Sequence, residues 1–148
     1  MIFFYLIGGL IAGSVIPVQT SINARLGKKV RSPFLASALS FFLGTLVLLL
    51  LTLILDHSLG LPLRTFSTSP WWIWTGGMLG VCYLTSNILL LPRLGAALTV
   101  VVTLCGQMIM AIAIDQFGWF GVSVHAINLP RLTGILCMLL GIYLIKKF

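Results

Sequence analysis

Acidic side chains are almost missing from this 148-residue chain: there is no glutamate, and Asp56 and Asp115 are the only two aspartates. Charged residues of both signs make up 7% of it, where soluble domains carry about 25%. So little charge, with 59% hydrophobic residues and a mean hydropathy of +1.16, excludes a soluble fold with a large core. The scarcity of carboxylates has a second consequence. Proton-coupled antiport usually relies on a carboxylate at membrane depth, and neither aspartate lies deep within an apolar run, so Asp115 is left as the candidate coupling residue. Cysteine is sparse too. Cys82, Cys105 and Cys137 fall inside apolar runs, an odd number without zinc spacing, which excludes a disulfide framework and suggests small packing residues. Asp56, His57, Asp115 and His125 match no metal or catalytic-triad template, so neither an enzyme, a metal site nor a cofactor is expected.

What remains is apolar and helical. Five runs are candidates for membrane spans, taking about 20 residues each: residues 2–22, 34–55, 71–91, 94–114 and 130–145. The last is short, and works if Pro130 sits in the first helical turn and Arg131 snorkels to the headgroups. Ser69-Pro70 before Trp71 reads as a helix start, with Trp71, Trp72 and Trp74 at headgroup level. Neither a linker nor a low-complexity segment appears, so residues 1–148 read as one transmembrane domain. The first run lacks the charged leader and cleavage site of a secretory signal, and is expected to be retained. The link Pro92 to Gly95 is short enough to predict a tight antiparallel hairpin of spans three and four. The fold class is therefore an all-α integral membrane protein with five transmembrane helices.

The excess of cations, nine Lys and Arg against two Asp, sits between the runs rather than on a solvated face. That placement speaks against nucleic acid and for orientation in a bilayer. Arg25, Lys28, Lys29, Arg31, Arg93, Lys146 and Lys147 share one side; Arg64 and Arg131 take the other. The bias predicts the N-terminus outside and the C-terminus cytoplasmic. The basic run after span one could also hold anionic lipid heads, though a topology anchor is sufficient reason for it.

Polar residues inside the spans fall on defined faces. Residues four apart share a helix face, which lines up Gln19 with Asn23 in span one, Tyr83 with Asn87 in span three, and Thr99, Thr103 and Gln107 in span four. Lipid-facing amides are costly, so these edges are expected to meet one another or a wetted passage, with Pro17 shaping it. The alternative is that each is interhelical glue, worth about 0.6 to 2 kcal/mol per bond. The pairs Gly9/Gly13, Gly76/Gly80 and Ser40/Gly44 have small-xxx-small spacing, which signals helix packing.

The ordered set GSVIPVQTSINARLG, SPFLASALSFFLGT, WWIWTGGMLG, PRLGAAL, CGQ and DQFG, running from Gly13 to about Gly141, resembles the YdcZ family of inner-membrane exporters, which is placed in the drug/metabolite transporter superfamily. The resemblance implies a five-span half-transporter in the bacterial inner membrane, moving a small solute. Pro17, Gln19, Asn23, Gln107 and Asp115 are the matched positions carried over as candidates. It differs from the superfamily's small multidrug exporters, which use a first-span carboxylate: here Gln19 and Asn23 stand instead, and cationic drug antiport is not expected.

An odd number of spans would place a tandem copy upside down, and inverted halves around a midplane site are a recurring transporter design. The cation bias opposes insertion of one sequence both ways. The expected partner is therefore an antiparallel subunit, an oppositely oriented paralogue rather than the chain itself. The expected mechanism is alternating access. The other reading is a non-transporting membrane subunit that assembles or stabilises a partner.

Overall fold

The computed structural model describes residues 2–57, 60 and 63–148. It is 88% helix with no strand among those residues. Helices run over Ile2–Val30 (α1), Pro33–Leu55 (α2), Leu63–Thr68 (α3), Gly76–Leu94 (α4), Ala96–Phe117 (α5) and Leu129–Lys147 (α6). Short 3-10 turns cover Trp71–Thr75 and Trp119–Gly121. Five segments are long and apolar enough to cross a membrane: α1, α2, Trp71–Leu94, α5 and α6.

Four of the five spans differ from the expected bounds by three residues or fewer at each end; α1 runs eight residues beyond its expected end. Nothing between Ile22 and Val30 breaks a helix except Gly27, and 29 residues at 1.5 Å each reach about 43 Å, beyond a 30 Å hydrocarbon layer. Arg25, Lys28 and Lys29 therefore ride on the helix itself rather than in a loop, carried to headgroup level. The stop is chemical. Arg31 takes the left-handed conformation (φ 56°), and the Ser32 N–H donates back to the Gly27 carbonyl at 3.1 Å, the wrap of a Schellman ending. Ser32 at once caps α2, its Oγ accepting from the Leu35 N–H at 3.1 Å, with Pro33 in the first turn.

Pro70 departs from expectation. It precedes a 3-10 turn, with no side-chain cap bond, and the α-helix begins only at Gly76. Two glycines in a row, each costly in a helix interior by about 1 kcal/mol, sit where the turn hands over. Pro130 behaves as read: Asn128 caps α6, its Oδ1 accepting from the Arg131 N–H at 3.0 Å. Gly95 alone separates α4 from α5, with φ 79°, a conformation that favours glycine.

The chain forms two compact units, Met1–Pro92 and Arg93–Phe148. In the first, α1, α2 and α4 meet around Ala36, Leu84 and Ile88, with Leu26 and Val30 packed on them. Gly27 is the close approach: a Cβ there would lie 3.2 Å from Ile88 Cγ2 and 3.7 Å from both Ala36 Cβ and Pro33 Cα. By contrast Gly9, Gly13, Gly44 and Gly76 have open space beside them, and Gly80 meets only the Phe41 ring, at 3.3 Å. Small-residue spacing alone therefore did not identify the packing glycine. In the second unit, α5 and α6 form an antiparallel hairpin. Its connection folds back on the end of α5: Gly118 ends the helix at φ 63°, the His125 N–H donates to the Asp115 carbonyl at 2.9 Å, and Phe117 stacks on Trp119. A Cβ on Gly118 would fall 2.8 Å from Val124 Cγ2. Gly118→Ala is thus expected to cost about 1 to 3 kcal/mol, from strain at positive φ plus the clash, read as a lowered midpoint in thermal unfolding in detergent.

Candidate functional site

Buried side chains are few among the described residues, and the polar ones outnumber the apolar ones: Thr20, Asn23, Ser37, Thr85, Asn87 and Thr99 against Ala24, Ala36, Leu84, Ile88 and Cys105. Hydrocarbon is as apolar as leucine, so burying leucine gives membrane helices no reason to associate; small residues and hydrogen bonds do. In the first unit hydrogen bonds cross between helices. Asn23 Nδ2 on α1 donates to Ser40 Oγ on α2 at 3.2 Å, and the hydroxyls of Ser37 on α2 and Thr85 on α4 share a bond of 2.8 Å. Ser37 Oγ also lies 3.0 Å from the Pro33 carbonyl.

The residues expected to line a passage divide into three groups. Asn23 and Asn87 are buried in the first unit, Asn87 Nδ2 donating to the Tyr83 carbonyl of its own helix at 2.8 Å. Tyr83 itself is exposed, Pro17 half-buried, and Gln19 on the outer surface of α1. In the second unit the Thr99 and Thr103 hydroxyls turn back on their own helix, Thr99 to the Gly95 carbonyl at 2.7 Å and Thr103 to Thr99 at 2.9 Å. Gln107, at the middle of the 22-residue α5, faces outward. Of these residues, Asn23 makes a bond between helices, to Ser40. Its partner Ser40, and the Ser37–Thr85 pair, carry the inter-helix chemistry. Their signal was present in the sequence: Ser37 and Ser40 lie three apart on one face of α2.

Among the described residues no buried side-chain nitrogen or oxygen lacks a hydrogen-bond partner. Removing one member of a bonded pair therefore exposes the other to apolar surroundings. Thr85→Val, which keeps the shape and deletes the hydroxyl, is expected to cost about 1 to 2 kcal/mol; unfolding in graded denaturing detergent, followed by helical circular dichroism, measures it.

The second unit contains a different arrangement. Asp115 on α5 and Arg131 on α6 form an ion pair, Nη1 to Oδ2, at 3.1 Å, and the same Nη1 donates to the His125 carbonyl at 3.2 Å. Arg131 is thus bound to an aspartate rather than reaching to headgroups alone. Both side chains are about one-third exposed, 32% and 31%, which keeps the pair accessible from outside the protein. Beside it lies a cavity of about 490 Å³ lined by Met108, Ala111, Ile112, Asp115, Pro130, Arg131, Gly134, Ile135 and Met138. Arg131 had been read only as a span-end cation. Its role depended on which residue the hairpin would bring opposite, and sixteen positions of intervening chain hide that in the sequence.

Comparison with known proteins agrees with this architecture. The family described as "Putative inner membrane exporter, YdcZ" matches residues 4–144. One similar protein, Inner membrane protein YdcZ of Escherichia coli (strain K12), is 25% identical over 136 residues, 92% of this chain and 90% of that one. No solved structure matches the chain. The match takes in all five long apolar helices, and the family is one of multi-pass inner-membrane proteins rather than of enzymes. With nearly the whole chain covered, it belongs to the YdcZ family of the inner membrane.

Proposed function

We propose that this chain is one half of an exporter for a small solute, working by alternating access within an antiparallel pair of subunits. The observation that carries the reading is the family match across residues 4–144, whose description names export. Two features of the chain support a partner. Gln19 presents an exposed amide on α1, where lipid contact is costly and a second subunit or a wetted passage would cover it. The first seventeen residues of α1 contain no buried side chain among those described, so a long helical face is available for pairing.

The N-terminus lies outside and the C-terminus inside, on the cation bias. An inverted partner is then a paralogue of opposite bias, since inverting this chain would move its basic end across the membrane. The completed pair would enclose the solute between inverted halves, opened to one side at a time. The second reading, a subunit that stabilises a partner without carrying solute, draws on the finding that, among the described residues, the buried polar groups already have hydrogen-bond partners.

Gln107→Leu separates the two. Liposomes holding the chain and an oppositely oriented paralogue are loaded with a mixed metabolite extract, and efflux is followed by mass spectrometry beside subunit cross-linking. Export predicts efflux with the native pair and at least a tenfold loss in the variant with cross-linking retained. Loss of cross-linking, with no solute released by the native pair, favours the stabilising subunit. Accessibility of tags at both termini tests orientation, with one orientation expected in nearly every copy; an even mixture would instead allow a homodimer.

A further inference from the structure

The cavity of the second unit is built as an antiparallel register. With Asp115 paired to Arg131, an antiparallel register carries the lining on to Ala111 and Ile112 on α5, Gly134 and Ile135 on α6, and Met108 and Met138 beyond them. On each helix the charged residue stands seven positions from the methionine, two turns and about 10 Å of rise. The space exists because Ala111 and Gly134 are small where the helices would otherwise fill it. The result is a cleft lined by one cation, one anion and otherwise apolar side chains, with charges and methionines two turns apart along each helix.

From this we infer that the α5–α6 cleft is a binding site for a small amphipathic zwitterion, a molecule with an ammonium and a carboxylate near each other on an apolar body. This deepens the export reading by naming the solute class, and rests on it only for transport, not for binding. Three observations determine the class. The ion pair is neutral overall, so a ligand with a single charge meets attraction from one side chain and repulsion from the other. A ligand with both charges meets two attractions, its carboxylate at Arg131 and its ammonium at Asp115. Arg131 is suited to this: both of its observed bonds come from Nη1, while a guanidinium has five N–H donors in a fork that matches a carboxylate. Finally, the volume of about 490 Å³ falls in the range of small-molecule pockets, about 300 to 1,000 Å³, and the flexible thioethers of Met108 and Met138 suit an apolar body of variable shape. A volume of this size suits a free small solute rather than a whole two-chain lipid.

Three probes test the charge rule on one apolar body: phenylalanine, phenethylamine and 3-phenylpropionate, titrated calorimetrically against the full-length chain in a neutral maltoside detergent. Phenylalanine is expected to bind at least tenfold more tightly than either singly charged analogue. Equal or tighter binding of one analogue overturns the proposal. Gly134→Leu fills the cleft while leaving both charged residues in the sequence, and a Cβ at Gly134 meets nothing within 4 Å, so the fold should tolerate it. It is expected to weaken phenylalanine at least tenfold at an unchanged melting temperature; unchanged binding overturns the site. Asp115→Asn is the second variant, and should shift the preference toward 3-phenylpropionate, because the carboxylate that met the ammonium is gone. No shift overturns the assignment. Native mass spectrometry distinguishes the source: phosphatidylethanolamine held by the native chain and lost in Gly134→Leu would replace the free solute with a lipid headgroup. Flux in liposomes separates this site from the export reading. Phenylalanine binding without flux leaves the site and removes carriage through it, whereas metabolite efflux unaffected by Gly134→Leu leaves carriage and removes this cleft from its path.

Discussion

Gly27→Leu is expected to lower the stability of the first unit by about 3 kcal/mol, the upper part of the range for overpacking a filled site. The position is enclosed from three directions: Ile88 Cγ2 would lie 3.2 Å from the new Cβ, and Ala36 Cβ and the Pro33 backbone 3.7 Å away. A leucine side chain reaches well past its Cβ, so α4 or the start of α2 must move. Either movement pulls on the Ser37–Thr85 bond, which joins α2 to α4 within the same layer. Gly27→Ala should be milder, since Ile88 need yield only a few tenths of an ångström. Ile88→Ala should rescue part of the leucine variant by vacating the contact. Thermal unfolding of the four proteins in detergent gives the cycle. Additive losses in the double variant would show that Gly27 and Ile88 do not meet.

The second large effect belongs to the ion pair. Arg131→Leu leaves the Asp115 carboxylate without its partner and the His125 carbonyl without a donor, at the end of a membrane helix. The expected loss is about 1 to 3 kcal/mol, between the near-zero value of an exposed pair and the 3 to 5 kcal/mol of a buried one, because each side chain is about one-third exposed. Asp115→Leu together with Arg131→Leu should recover most of that loss, since two apolar residues replace a pair that is costly to desolvate. Chemical unfolding of the second-unit hairpin in full-length protein, reported by tryptophan fluorescence of Trp119, reads the difference. A double variant as unstable as the single one would mean that Arg131 acts through the His125 carbonyl rather than through the aspartate.

Much of the fold was legible one residue at a time. Pro33 and Pro130 each sit in the first turn of a helix behind a capping Ser32 or Asn128, because a missing N–H is harmless there. Pro70 looked alike and behaved otherwise: with no cap bond behind it and Gly76-Gly77 ahead, the local backbone settled into a 3-10 turn first. The long α1 was underread because apolar length was taken as helix length, while a helix persists through Arg25 and Lys28 until a conformational stop at Arg31.

The polar residues were harder. A spacing of four places Thr99, Thr103 and Gln107 on one side of α5, yet it does not say whether a hydroxyl will turn to a neighbour or to the carbonyl four residues back. Thr99 and Thr103 do the latter. Gly27 was likewise invisible beside the better-known spacings at Gly9/Gly13 and Gly76/Gly80, because which small residue lies at a crossing depends on where three helices intersect.

The order of amino acids by itself determined the membrane environment, the five apolar helices and the capped starts at Pro33 and Pro130, since hydropathy and capping are properties of neighbours along the chain. Only the tertiary structure decided that Asn23 bonds Ser40, that Thr85 bonds Ser37 and that Arg131 closes on Asp115 beside an apolar cleft. Those contacts join residues sixteen to forty-eight positions apart, and such a pair exists only once the packing of whole helices has set which faces meet.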